Sequence, residues 1–478
     1  MQLIRYLNEA KELLKDWQSY IKRNKELQAG VSILNKINKK KYKAYIVGGS
    51  VRDIILGNLK PHDVDIATNM PMDELGKMFK TYDIGRSKDF GIVTIKHGGH
   101  DFEIAQFRND GTYFDGRRPE SVQITGKFQD DAERRDFTIN AMGIDAKGII
   151  VDYFDGKRDI KNKVLKTVGD PYKRFGEDHL RMMRLARFAS KLDFDIDKDT
   201  SKAAQKLSHN IADLAPERIK DELLKSASQS GEKFADYIIQ LDKLKLLKHI
   251  LPEIVNLKWY KENLQHHPET RGHGGTVFSH VMAALKKSDS KDPIKNLAIL
   301  LHDIGKGVSL SQENGLPRYL GHAKRSVDLV NTIADRLKMS NSERNALVFS
   351  VGNHMKFHNI LDMKPSKIAK LVNDDNWDVL VAVGKADEYA RGHMFAHAGT
   401  FEKIVDKAVK VKEKFGAKQV NKQVKLVDGK DVMRLTGIKP GPKVGKIITN
   451  VTAWIMDNNI EDKDQIEKKI IELGGSDG

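Results

Sequence analysis

The sequence predicts an α+β chain, with a small sheet near the N-terminus and a largely α-helical remainder. Short β-prone runs, Tyr45 to Val47, Val64 to Ala67, Gly91 to Ile95 and Phe102 to Ala105, fall in one stretch and are punctuated by glycine pairs. From Asp170 onward the apolar residues take helical spacing instead. A length of 478 residues is too great for one ordinary core, and at the usual domain size it points to about three.

Lysine and arginine number 82 against 66 aspartates and glutamates, a formal net charge of +16, which calls for a polyanionic partner such as nucleic acid. The longest apolar stretches, such as Leu297 to Leu301, fall well short of the ~20 residues of a membrane-crossing helix, so no membrane partner is expected. Cysteine is absent, which excludes disulfides, thiolate zinc sites and cysteine nucleophiles and leaves His, Asp and Glu as metal ligands. The N-terminal stretch carries Glu9, Glu12 and Asp16 and lacks a continuous apolar core, unlike a secretory or transit segment. A cytoplasmic location is expected, and no protein partner is implied.

In chain order, residues 1–40 place Leu3, Leu7, Leu14, Trp17 and Ile21 at near-helical spacing, which reads as a helical extension packed on the next domain, with an RNA-binding arm as the other reading. Lys39 to Lys41 read as a solvated edge. Tyr45-Ile46-Val47 then stops at Gly48-Gly49, and Ser50-Val51-Arg52-Asp53 has the form of a capped helix start. Gly57 ends that helix, Pro61 blocks its continuation, and a second strand puts Asp63 and Asp65 two residues apart on one face.

Two such carboxylates can share Mg²⁺ ions, and phosphoryl transfer to a nucleic-acid hydroxyl uses a pair of them. The Gly-Gly turn offers backbone N–H groups to a triphosphate. An isolated Asp-x-Asp is most often a solvated strand face; turn, helix, loop and paired aspartates together indicate a nucleotidyltransferase. Beyond them a hairpin turns at Gly98-Gly99, and Glu103 is the candidate third carboxylate, although Asp101 shares its face by parity. The Gly-rich, charged loop from Asp110 to Pro119 brings Arg117 and Arg118, which suit phosphate. Arg135, Asp136 and Asn140 precede what reads as an apolar helix; they form either a helix cap built on Asp136 or a contact with nucleotide sugar and phosphates.

GGSVRD, DVDIAT and RRDFTINAM occur in that order, and together they resemble the head of the class II tRNA nucleotidyltransferases, the CCA-adding enzymes, which share it with bacterial poly(A) polymerases. The resemblance implies a five-stranded, polymerase-β-like head (41–150) followed by helical neck (151–262), body and tail. It also implies tRNA, CTP and ATP as partners, Mg²⁺ as cofactor, and Gly48, Gly49, Ser50, Arg52, Arg135, Asp136 and Asn140 as nucleotide-binding residues. In the neck, Asp178 and Arg181 lie three apart on a predicted helix, with Arg184 continuing that side. A carboxylate beside a guanidinium can read the edge of a base, and the resemblance gives Asp178 and Arg181, with Glu177 beside them, the role of protein template for the incoming nucleotide. His179 stands where the family usually has proline. Pro216 to Leu223 matches the family's neck motif, and Glu217 and Arg218 read as structural supports.

Histidines crowd in from residue 265. Singly, His266, His267 and His358 read as packed or solvated side chains. His280, the pair His302-Asp303 and the later Asp387 form a pattern that resembles the HD phosphohydrolase superfamily and implies a metal-ligand set, with His322 and His354 as candidates for a second ion and Lys306 as a phosphate partner. Such ligands suit Mn²⁺, Ni²⁺, Fe or Mg²⁺. This HD body (263–395) would add phosphatase or 2′,3′-cyclic phosphodiesterase activity. A tail (396–478) follows, in which Lys443 and Lys446 at a Gly- and Pro-rich helix entrance are candidates for RNA contact. Two other readings stand beside CCA addition: a poly(A) polymerase, and an HD phosphohydrolase or RNA-binding protein with an inactive head. The stretch IGRSKDFGIVTIK looks like the CCA-adding form rather than the polyadenylating one.

Overall fold

The computed structural model describes residues 12–58, 63–82, 91–111, 122–262, 274–313, 316–391, 400–415 and 427–475. Arg117, Arg118, Pro61, His266 and His267 lie outside them. Contacts divide the chain into two compact units, Met1–Glu222 with Asp236–Ile250, and Leu223–Ala235 with Leu251–Gly478.

The first unit is built on a mixed sheet. Its strands are β1 (Glu12–Leu13), β2 (Ala44–Val47), β3 (Asp65–Thr68), β4 (Thr81–Tyr82), β5 (Ile92–His97) and β6 (His100–Gln106). Beyond β7 (Arg108–Asp110) and β8 (Val122–Ile124), which pair with each other, come β9 (Met142–Ile144) and β10 (Ile149–Asp152). The order across the sheet is β1-β10-β9-β2-β3-β6-β5-β4, eight strands where the resemblance implied five. The strands are antiparallel except for the parallel pair of β3 with β6.

The β5–β6 hairpin turns at Gly98-Gly99 as the sequence predicts, with both glycines at positive φ, the geometry of a two-residue hairpin turn. The apolar helix expected after Asn140 is instead the β9–β10 hairpin. A tight loop makes it: Asp145 Oδ1 accepts from the backbone N–H of Lys147 and Ile149, each at 2.8 Å. Gly148, at φ +86°, lies so close under the Trp17 ring that a Cβ there would sit 2.5 Å from it.

Residues 12–39 fall in this unit and pack on its sheet. The helix Lys25–Lys39 buries Leu27, Ile33, Leu34 and Ile37, and its Gly30 lets it approach Val64 and Phe102. Glu26 accepts a hydrogen bond from the Val64 N–H at 3.0 Å, which ties the helix to the entrance of β3.

The helix predicted to carry both Asp178 and Arg181 is two, Pro171–Glu177 and Leu180–Leu192. Asp178, at φ −144° and ψ 105°, breaks it, and its Oδ1 caps the second helix by accepting from the Leu180 N–H. Asp178 and Arg181 therefore do not share a helix.

The second unit is almost wholly helical among its described residues. The helices Val277–Lys286, Pro293–Leu301, His322–Arg336, Asn341–His358 and Trp377–Ala390 form one layer group, and capping boxes at Thr276/Ser279 and Ser340/Glu343 fix two of their starts. Near the C-terminus, Gly429–Thr436, Pro442–Asn458 and Lys463–Gly475 enclose a small core of Val432, Ile447, Val451, Ile455 and Ile466. No described helix is long and apolar enough to cross a membrane.

Candidate functional site

In the first unit, a cavity of about 610 Å³ opens over the ends of β2, β3 and β6. The parallel register that sets Ile66 against Ile104 also brings Asp65 level with Glu103, and both line the cavity with Gly48 and Gly49. Asp65 is open to the cavity yet enclosed on most sides. That enclosure, followed by the Glu103 charge, pushes its carboxyl up to about 6 against the pull of Arg135, with Asp63 and Glu26 adding to the rise. Crowded carboxylates of this kind fit a hard divalent cation. Asp101, farther along the same strand, does not line the cavity and lies 3.9 Å from Lys96.

Asp63 departs from the expected strand face. It lies in a bend before β3 at φ +57°, a conformation that aspartate tolerates better than most residues. Ser50 is not a helix cap: Gly48 holds that position, and the Ser50 hydroxyl donates to the Asp63 carbonyl at 2.7 Å, tying the glycine turn to the aspartate bend.

Most pocket-lining arginines are already paired. Arg52 reaches Asp53 at 2.7 Å and donates to Asn140 Oδ1 at 2.8 Å. Arg134 and Arg135 share the buried Asp131, at 2.7 and 3.0 Å. Arg184 meets Asp136 at 2.6 Å, Arg187 meets Glu222 at 2.5 Å and Arg218 meets Asp178 at 3.0 Å. Asp136 also accepts from the Phe137 N–H and from Asn140 Nδ2. Burial would raise its carboxyl, but Arg184 and Asn140 outweigh that and hold it down at about 2. Asp136 and Asn140 are thus bonded within the protein while also lining the cavity, and the turn they brace is a single 3₁₀ turn, Thr138–Asn140, rather than a helix start.

Asp178 and Arg181 reach the same cavity through different braces. Arg181 donates to Glu177 at 2.7 Å, to the Arg174 carbonyl at 3.0 Å and to the Arg134 carbonyl at 2.9 Å. Besides the Leu180 N–H, Asp178 accepts from Arg218 at both carboxylate oxygens, so Glu177 orients the arginine and Arg218 the aspartate. His179 is the N-cap position of the second helix and lies 3.3 Å from Asn210 Nδ2.

A second cluster lies in the second unit. His280, His302 and Asp387 present atoms within 4.8 Å of one another, as do Asp303, His322 and His354, and all six residues are buried. His302 Nδ1 lies 2.8 Å from the Ile299 carbonyl, His322 Nδ1 2.8 Å from that of Tyr319, and His354 Nδ1 2.7 Å from that of Val351. A carbonyl only accepts, so each Nδ1 is placed to carry a proton, and each ring turns its Nε2 inward, where a neutral imidazole would offer a lone pair. His322 Nε2 and His354 Nε2 stand 3.0 Å apart, an arrangement that two lone pairs alone would oppose and that a proton or a cation relieves.

Asp303 joins the two groups. Its Oδ2 lies 3.2 Å from His302 and its Oδ1 3.2 Å from His322. Burial would raise this carboxyl, but Lys306 and His302 hold it well below the usual range. Asp387 turns Oδ1 toward His280, at 3.1 Å, while Oδ2 is held by His358 and Arg391, each at 2.7 Å. The donor set fits divalent cations.

Lys306, expected as a phosphate partner, is buried and already neutralised, 2.8 Å from Glu262 and 2.9 Å from Asp303. His358, read from the sequence as an ordinary side chain, proves to hold a candidate ligand. Glu262 and Arg391 were missed as well, because no local spacing marks them.

Residues 44–166 match the poly A polymerase head domain. Residues 193–257 match the family described as "Probable RNA and SrmB- binding site of polymerase A". Among curated proteins, the chain is 46% identical over 201 residues to a CCA-adding enzyme of Ligilactobacillus salivarius, covering 42% of this chain and 49% of the relative. It is 39% identical over 242 residues to that of Lactobacillus johnsonii, covering 50% and 58%. The chain thus spans about half the length of the curated relatives it matches. Its fold resembles the crystal structure of the Bacillus stearothermophilus CCA-adding enzyme in complex with CTP, at a TM-score of 0.65 and 24% identity, covering 94% of this chain and 98% of that one. It also resembles the Thermotoga maritima CCA-adding enzyme complexed with tRNA, at a TM-score of 0.57 and 18% identity, covering 96% and 99%.

The poly A polymerase head match contains Gly48, Gly49, Asp63, Asp65, Glu103, Arg135, Asp136 and Asn140. Asp178, Arg181 and Arg184 fall between the two matched segments. Lys443 and Lys446 are exposed on the first turns of the helix Pro442–Asn458.

Proposed function

We propose that the chain is a CCA-adding tRNA nucleotidyltransferase, extending the tRNA 3′ end with C, C and A from CTP and ATP and releasing pyrophosphate. The observation that carries this reading is one cavity combining the Gly48-Gly49 turn, the Asp65/Glu103 pair and the Asp178/Arg181 base-reading pair. The curated relatives and the shared fold support it.

Asp65 and Glu103, with Asp63 beside them, would hold Mg²⁺, which supplies charge neutralisation at the α-phosphate and favours the 3′-hydroxylate. The Gly48-Gly49 backbone would cradle the phosphates, and Asp178 and Arg181 would offer acceptors and donors to cytosine or adenine. Catalysis is then mainly positioning and electrostatics. A head at 41–150, a neck at 151–262 and action in the cytoplasm belong to this reading.

The test supplies tRNA lacking its 3′ end, Mg²⁺ and CTP, ATP or both, with products sized at single-nucleotide resolution. Addition that stops after C, C and A and needs both nucleotides is the expected result. A long ladder from ATP alone would make the chain a poly(A) polymerase, and no extension would end the transferase reading.

A second activity is supported by the inward-facing imidazoles of the histidine cluster. His280, His302, Asp303 and Asp387 would hold one divalent cation, with His322 and His354 toward a second, and the cation would supply Lewis-acid chemistry for phosphoester hydrolysis. Ring opening of 2′,3′-cyclic nucleotides by water to the nucleoside 2′- or 3′-monophosphate with Ni²⁺, Mn²⁺ or Mg²⁺, lost in His302→Ala, is expected. Equal ring opening by wild type and variant would remove the assignment.

A further inference from the structure

We propose that Lys191 is a phosphate-binding residue of the transferase cavity and that it holds the triphosphate end that leaves as pyrophosphate. This rests on the nucleotidyltransferase reading and adds a residue that neither the motifs nor the relatives assign.

The argument begins with the charges around the cavity. Most of the arginines described above stand against a carboxylate of their own, with Arg134 and Arg135 sharing Asp131, so much of that charge is compensated before any ligand arrives. Lys191 lines the same cavity and makes no hydrogen bond or ion pair among the described residues. Partial burial and then the Arg52 guanidinium, with Arg187 adding and Asp53 opposing, hold its ammonium below the usual lysine range. A cation in that setting gains most from an anion brought in from solution.

Its position selects which anion. Arg52 lies against the glycine turn, where a Cβ added to Gly49 would stand 3.4 Å from its Nη2. The Arg52 and Arg187 guanidinium carbons lie 5.1 and 4.6 Å from the centroid of the Phe188 ring, which fixes both on one platform. Lys191 follows Arg187 by one helical turn and so extends this platform beside the turn that would cradle the triphosphate. The ordinary alternative is a lysine that merely offsets the dipole at the end of the helix Leu180–Leu192.

The test uses the full chain with Lys191→Met and Lys191→Arg. CTP, ATP and pyrophosphate affinities are measured by calorimetric titration, which needs no turnover, alongside the KM values for nucleotide and tRNA. Lys191→Met should weaken all three ligands by about tenfold, the scale of one lost charge-assisted bond, and leave the tRNA KM unchanged. Lys191→Arg should restore most of that loss. Unchanged nucleotide and pyrophosphate affinity with a lower Tm would leave only the helix-end role. A rise confined to the tRNA KM would move the phosphate to the RNA backbone. Either result overturns the proposal. Failure of the wild type to extend tRNA would instead strike the transferase reading, since the titrations report on Lys191 independently.

Discussion

Enclosure and the Glu103 charge push the Asp65 carboxyl up to about 6, so in the absence of a cation it takes up a proton just below neutral pH. Mg²⁺ competes with that proton, and its affinity should fall as pH is lowered through about 6; calorimetry between pH 7.5 and 5 reads this directly. Because the folded-state value lies above the ordinary 3.8, this group stabilises the fold most at low pH, and that contribution is lost as pH rises through about 6. Asp65→Asn should therefore raise the Tm of the metal-free protein at pH 7.5 while abolishing nucleotide addition and the Tm increment from Mg²⁺. Retained addition would remove Asp65 from the metal site. Asp136 is the opposite case: held at about 2 by Arg184 and Asn140, its contribution is complete above 3.8 and is lost as pH falls toward 2.

The two short helices around Asp178 make a testable device of a kind that local sequence conceals. Arg218 grips both oxygens of Asp178, at 3.0 and 3.2 Å, while Glu177 grips Arg181. Arg218→Met should release Asp178 and degrade the choice between C and A before it slows addition, as read from misincorporation with single nucleotides. Normal fidelity with a lowered Tm would make Arg218 a brace of the fold alone. The break at Asp178 was illegible in the sequence because residues 171–192 carry the same helical pattern throughout; the partner that fixes it lies 40 positions on. The β5–β6 hairpin was legible because its alternation and Gly98-Gly99 are local signals. Met142 to Asp152 misled because each strand is only three or four residues long and the loop that pairs them depends on Trp17. In the histidine cluster, His302-Asp303 stood out beside glycine, whereas His358 gains its meaning only from helix packing against Asp387.

Across the whole molecule, a net charge of +16 makes association with a polyanion depend on salt through counterion release. The motifs of the head account for chemistry on one nucleotide, but a bound tRNA would meet cations well outside that cavity. Lys443 and Lys446 are exposed at the start of the helix Pro442–Asn458, beside a Gly- and Pro-rich entrance, and no described carboxylate pairs with Lys446. If each meets one backbone phosphate, replacing both by alanine should weaken tRNA binding and reduce the slope of log K against log salt by about two. The affinity for CTP should stay unchanged, because the variant leaves the cavity intact. Binding measured from 50 to 300 mM KCl, on the order of the range where counterion release dominates, decides it: an unchanged slope would place these lysines off the RNA path. A lowered slope together with normal CTP binding would assign the C-terminal helices to holding the RNA while the start of the central strand β3 at Asp65 performs the transfer.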